Sequence, residues 1–132
     1  MPHGRVLVVD DEAVVRETVR LVLAQAGYEV IEASDGTQAM EVVRSGDNPS
    51  LLDAIILDLY MPKTHGQEVI LYLRSKFPAI PIIVLTGKPD AADIIRSLDE
   101  GVMDFLVKPV HPDKMLASVA KAIERRGRSP AA

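Results

Sequence analysis

Short aliphatic runs alternate along this chain with longer stretches of helical periodicity, and that alternation leaves few folds open to it. Val6 to Val9, Ala54 to Leu57, Ile82 to Leu85 and Phe105 to Val107 are almost continuously apolar, as strands buried on both faces of a sheet must be. A less apolar run, Tyr28 to Ala33, sets Tyr28, Val30 and Ala33 against Glu29 and Glu32 and suits an edge strand. Between the runs, Val15, Val19, Val22 and Leu23, then Ala39, Met40 and Val43, then Val69, Ile70 and Leu73 recur at helical spacing. Ala92, Ile95 and Leu98 mark a weaker fourth helix, and Leu116, Val119, Ala120 and Ile123 a fifth. Strand then helix, five times over, predicts one doubly wound (βα)5 domain of the α/β class with a parallel five-stranded sheet. Right-handed crossovers, with the three most apolar runs at the doubly covered centre, give the strand order 2-1-3-4-5.

Punctuation along the chain agrees. Gly27, Gly46, Gly101 and Gly127 stop helices, Ser34-Asp35-Gly36 opens the second and Pro112 opens the last. Asp47-Asn48-Pro49-Ser50 reads as a loop, as does Met61-Pro62-Lys63-Thr64-His65-Gly66. With 132 residues and no shift of composition, the expectation is one domain over 1–126, and a disordered tail at 127–132 with nothing to bury. Two Phe, three Tyr and no Trp leave an aliphatic core. A net charge of −4 argues against direct binding to nucleic acid or to an anionic membrane. No apolar stretch reaches the ~18 residues of a membrane span, the opening residues lack a signal peptide's apolar core, and there is no cysteine. A soluble cytoplasmic protein is expected.

Four of the apolar runs stop at polar residues of a particular kind. The first ends at Asp10 and Asp11, the third at Asp58, the fourth at Thr86 and the last at Lys108. In a parallel sheet these ends share one edge, and the switch point between the first and third strands is where ligands bind. Two carboxylates about 4 Å apart repel by roughly 4 kcal/mol at an effective dielectric of about 20, so three together call for a cation. With no cysteine, and no histidine at these ends, the donors are hard oxygens that favour Mg2+ over zinc or copper. Singly each residue has a plainer explanation: Asp10, Asp11 and Asp58 as helix caps, Thr86 as a turn hydroxyl, Lys108 as a solvated strand end, Phe105 as core. Together at one edge they read as a site for a metal and a phosphoryl group. His3, His65 and His111 share no ligand spacing and are expected in solvent. Lys121, Arg125, Arg126 and Arg128 suit the negative end of the last helix, and Asp53 is structural.

The runs Val8-Val9-Asp10-Asp11-Glu12 and Ile56-Leu57-Asp58-Leu59 with Met61-Pro62 and Gly66, the pair Thr86-Gly87 and the run Phe105-Leu106-Val107-Lys108-Pro109 together resemble the receiver domain of two-component response regulators, over about residues 4–126. The resemblance implies a flavodoxin-like fold, shared with chemotaxis regulators, and a role for each position. Asp58 would be the phosphoacceptor, taking a phosphoryl group from a phosphohistidine. Asp11, Asp58 and the backbone carbonyl of Tyr60 would ligate Mg2+ or Mn2+, with Asp10 acting mainly through water. Thr86 and Lys108 would hold phosphoryl oxygens, and Pro109 would follow Lys108 through a cis bond. Thr86 and Phe105 would move together on phosphorylation, and Tyr60 and Lys88 would flank the attack path. Implied partners are a sensor histidine kinase or histidine phosphotransfer protein, then a downstream protein or fused output domain, with a phosphorylation-dependent homodimer among the outcomes. Such a switch acts only on its own Asp58 and is not a turnover enzyme. The alternatives are an aspartyl-phosphate phosphohydrolase and a binding module indifferent to phosphorylation. Tyr60 stands where such hydrolases carry an acid, and no Gly-rich phosphate loop is present.

Overall fold

The computed structural model describes residues 3–62 and 64–127. Strands β1 (Arg5–Val9), β2 (Glu29–Ala33), β3 (Leu52–Leu57), β6 (Ile82–Thr86) and β7 (Asp104–Val107) form one parallel sheet in the order β2-β1-β3-β6-β7. Counting only these five strands along the chain, that is the order 2-1-3-4-5. Helices α1 (Ala13–Gln25), α2 (Gly36–Arg44), α4 (Gly66–Lys76), α5 (Ala91–Asp99) and α6 (Pro112–Arg125) make the crossovers.

The period-2 alternation of the central strands divides the core into two layers. Leu7, Val9, Ile55, Leu57, Ile82 and Val84 face α2 and α4, meeting Ala39, Val43, Val69, Ile70 and Leu73. Val6, Val8, Ala54, Ile56, Ile83 and Leu85 face α1 and α6, meeting Val19, Leu23, Met115, Val119 and Ile123. Each fully buried Leu, Ile or Val contributes about 1.5–3 kcal/mol of transfer free energy, so the three central strands carry most of the fold's stability. The edge strands β2 and β7 are only partly covered. No helix among the described residues is long and apolar enough to cross a membrane.

Several expectations need correction. Ala33 lies on the α2 and α4 side with Ile31, while Tyr28 and Val30 lie on the other, because strict alternation separates positions 30 and 33. The expected loop at 47–50 contains a short helix, α3 (Asn48–Leu51): Pro49 supplies a helical φ in a first turn that needs no N–H from it. The loop after Met61 is a small antiparallel hairpin of β4 (Tyr60–Met61) and β5 (Thr64–His65), with Lys63 outside the described residues. In α5 the buried residue is Ser97, whereas Ile95 is 61% and Leu98 48% exposed, so the apolar positions that marked this helix face outward. His65 and His111 are exposed as expected, but His3 is half-buried, edge-on to Tyr28 with ring centroids 6.3 Å apart. The expected tail lies outside the described residues from 128 onward, as does Arg128.

Local polar contacts set the element ends. Asp35 accepts from the Gln38 N–H (2.7 Å) to cap α2, and Asp90 accepts from the Ala92 and Asp93 N–H groups to cap α5. Asp53, buried, accepts from the Arg5 N–H at 2.9 Å, which is the structural role expected of it. Arg126 does more than offset a helix dipole: its Nε donates to Leu52 O (3.0 Å) and its Nη2 to Pro49 O (2.9 Å) and Ser50 O (3.1 Å), clamping α6 to α3 and the start of β3. Replacing Arg126 with Ala strands those carbonyls and is expected to cost about 1–2 kcal/mol in urea unfolding. Lys121→Ala, at an exposed position, is expected to stay within about 0.5 kcal/mol of the parent.

Candidate functional site

The ladder hydrogen bonds run one residue past the strands, and this extension brings the carboxylates together. Asp10 N–H donates to Ala33 O (3.2 Å) and Asp58 N–H to Val9 O (3.0 Å), setting the two aspartates side by side at the C-terminal edge. From β7's side, Lys108 N–H donates to Thr86 O at 2.7 Å. Gly66 keeps the path after Asp58 tight, since a Cβ there would lie 2.5 Å from Leu59 Cα.

Lys108 is the centre of the cluster. Its Nζ lies 2.8 Å from Asp10 Oδ2, 3.2 Å from Asp58 Oδ2 and 3.3 Å from Glu12 Oε1. Asp10 and Asp58 are only 2% and 4% exposed, and Thr86 is fully buried. The other Asp58 oxygen, Oδ1, accepts from the Tyr60 N–H at 2.9 Å, and Asp10 Oδ1 accepts from the Glu12 N–H at 2.9 Å. Carboxylate oxygens of Asp10, Asp11 and Glu12 can converge within 4.8 Å of one another. Asp58 stands outside that group and is joined to it through Lys108.

The remaining residues surround this core without all touching it. Thr86 Oγ1 accepts from the Lys88 N–H at 3.2 Å. The Lys108–Pro109 peptide is cis. Phe105 is half-buried and lines a cavity of about 230 Å3 with Leu85, Lys108, His111 and Met115. The Tyr60 hydroxyl donates to the Asp93 carboxylate on α5, and its ring lies 6.0 Å from Lys88 Nζ.

Two contributors were not picked out from the sequence. Glu12 figures in the sequence only as the last residue of the run Val8-Val9-Asp10-Asp11-Glu12 with no site role of its own, yet as the α1 N-cap it makes no side-chain capping bond and its carboxylate turns to Lys108. Its place directly after Asp10-Asp11 was the available signal. Arg16, one turn into α1, donates to Asp10 O at 2.6 Å and pairs with Glu32, a contact that no spacing rule discloses.

Burial pushes the Asp10 carboxyl above its ordinary range, opposed by the bonds from Lys108 and the Glu12 N–H and reinforced by Asp58. Burial alone would lower Lys108, but its bonds to Asp10 and Asp58 and their charge outweigh it and hold the ammonium above its ordinary value. The bond to Asp93, with burial behind it, raises the Tyr60 phenol to about 12. All of the donors are hard oxygens and their negative charge exceeds what one lysine offsets, so the site fits a small divalent cation.

A carboxyl raised in the folded state stabilises the fold below its unfolded pKa of about 4, and that contribution is lost as pH rises through the folded value. In metal-free buffer, Asp10→Asn removes this falling limb. The variant's stability relative to the parent should therefore increase between about pH 4 and pH 7 in urea unfolding, and a decrease would contradict the stated cause.

Residues 6–120 match the response regulator receiver domain family. Response regulators named MprA, from Mycobacterium ulcerans (strain Agy99) and Mycobacterium avium (strain 104), are each 40% identical to the chain over 121 residues; the alignments cover 92% of this chain and 50% and 51% of theirs. The chain thus spans about half the length of the curated relatives it matches. Among solved structures, a response regulator receiver domain protein from Clostridium thermocellum superposes with a TM-score of 0.87 at 29% identity, covering 94% of this chain and 97% of that one. The Vibrio cholerae chemotaxis protein CheY4 superposes with a TM-score of 0.80 at 31% identity, covering 90% and 98%.

Proposed function

The chain belongs to the response regulator receiver domain family, and from that premise we propose that it is a Mg2+-dependent phosphorylation switch with Asp58 as phosphoacceptor. The observation that carries this reading is the setting of Asp58: a nearly buried carboxylate with one oxygen held by the Tyr60 N–H and the other by Lys108, beside a second buried aspartate. An Asp58 oxygen attacks the phosphorus of a phosphohistidine, the P–N bond breaks, and the imidazole nitrogen leaves with its electron pair and takes a proton. The product is an acyl phosphate on Asp58.

Each neighbour has a part. Lys108 and Thr86 hold phosphoryl oxygens as negative charge gathers on them, one by ion pairing and one by its hydroxyl. Asp11, Asp58 and the Tyr60 carbonyl would hold Mg2+ or Mn2+, with Asp10 acting mainly through water, and the exposed Glu12 carboxylate lies close enough to Asp10 and Asp11 to join them. When bound, the cation neutralises charge on the carboxylates and the transferring group. Phe105 and Thr86 shift together on phosphorylation, with Pro109 fixing the direction of Lys108.

The donor is a sensor histidine kinase or a histidine phosphotransfer protein in the cytoplasm. The readout partner is a downstream protein or output domain, or a second copy of the chain, and exposed Ile95, Leu98 and Val107 supply apolar surface for it. Tyr60 occupies the position two residues past Asp58 where aspartyl-phosphate hydrolases carry an acid, which supports a switch over a phosphohydrolase with turnover.

Incubation with acetyl phosphate and Mg2+ should add the mass of one phosphoryl group, and Asp58→Asn should abolish the gain. Lys108→Ala should slow it about 100-fold, the scale of losing one charge-stabilising group. Full labelling of Asp58→Asn would place the acceptor elsewhere.

A further inference from the structure

The sheet's other end carries a feature that the switch does not use. Arg74 in the last turn of α4, and Arg125 and Arg126 at the end of α6, line one cavity of about 250 Å3 together with Pro78, Gly101 and Met103. It lies at the N-terminal ends of β6 and β7, across the sheet from Asp58. No acidic side chain lines it, and no salt bridge among the described residues engages any of the three arginines. In a chain of net charge −4, three guanidinium groups thus meet at one cavity without an ion pair among the described residues, although Arg125 also borders an adjoining pocket that Asp104 and Glu124 line.

Two of the guanidinium groups are held in place. Arg74 Nη1 donates to Pro78 O at 2.8 Å, and Arg126 is fixed by the carbonyls of Leu52, Pro49 and Ser50. Gly101 gives Arg74 its seat: a Cβ there would lie 2.8 Å from Arg74 Nε. Each guanidinium has five N–H donors, so both keep donors beyond those the carbonyls take, while Arg125 is exposed beside them. A helix C-terminus accounts for a basic residue in its last turn, as with Lys76. It does not require three arginines from two helices to share a cavity, two of them positioned by backbone carbonyls.

We propose that this cavity binds a small anion bearing a phosphate or diphosphate group. Guanidinium forks match the oxygen geometry of phosphate, and groups already held lose little freedom on binding. The volume suits the anionic group itself and falls below the range usual for a whole drug-sized ligand. This site is independent of Asp58 and its chemistry.

The test is a titration of the 132-residue Asp58→Asn chain with pyrophosphate in metal-free buffer, followed by amide and arginine side-chain NMR shifts. Saturable shifts at Gly101, Met103 and the three arginines are expected. Arg125→Gln should weaken binding about tenfold, on the scale of losing one charge-assisted contact, whereas Lys121→Gln, outside the cavity, should leave it unchanged. Absence of saturation, shifts centred elsewhere, or an equal loss with Lys121→Gln would overturn the assignment. Phosphatidic acid vesicles separate the sources of phosphate: retention on vesicles without a response to free pyrophosphate would also overturn it.

Discussion

A half-buried lysine ammonium held among carboxylates is the contact on which the rest of this structure depends. Lys108 reaches from the end of an edge strand to Asp10, Asp58 and Glu12, and without a cation in that position two nearly buried aspartates would face each other unshielded. The ionic contact supplies little net stability once desolvation is subtracted. It does hold Asp10 and Asp58 close together in a dry setting, where Coulomb interactions are screened less than in water. The parallel ladders provide the precision, since each strand's last hydrogen bond fixes where its terminal side chain begins.

The same edge connects to the surface. Tyr60 follows Asp58 by two residues and its hydroxyl is tied to Asp93 on α5, the helix whose Ile95 and Leu98 face outward. Gln67 of α4 donates to Ser97 at 3.1 Å, so α5 is held to its neighbours largely by polar contacts and less by the aliphatic packing that fixes α1, α4 and α6. Such a helix costs little to move, and Tyr60 ties it to the turn that follows Asp58.

Much of the fold was legible because burial writes itself into strand composition. Val6 to Val9, Ala54 to Leu57 and Ile82 to Leu85 are apolar on both faces, and only a doubly covered centre tolerates that. The strand order followed, and with it the meeting of Asp10, Asp58 and Lys108. What escaped depended on three-dimensional contacts that periodicity does not encode. Ile95 and Leu98 have helical spacing, but spacing cannot say whether an apolar stripe faces the core or the solvent. Asn48-Pro49-Ser50 has a loop's composition, yet Arg126, far along the chain, satisfies the carbonyls there and a helical turn forms. Glu12 and Arg16 act through contacts that exist only once β1, β2 and β7 are in place.

We propose that the carboxylate edge is a single cooperative site for a divalent cation and a phosphoryl group on Asp58. Its most direct test is the amide NMR spectrum of the chain with Mg2+ and beryllofluoride, a stable phosphoryl mimic. Slow-exchange shifts are expected at Asp58, Thr86 and Lys108 that extend to Phe105 and α5 and require both reagents. Shifts confined to the exposed Asp11 and Glu12, or identical with Mg2+ alone, would contradict it.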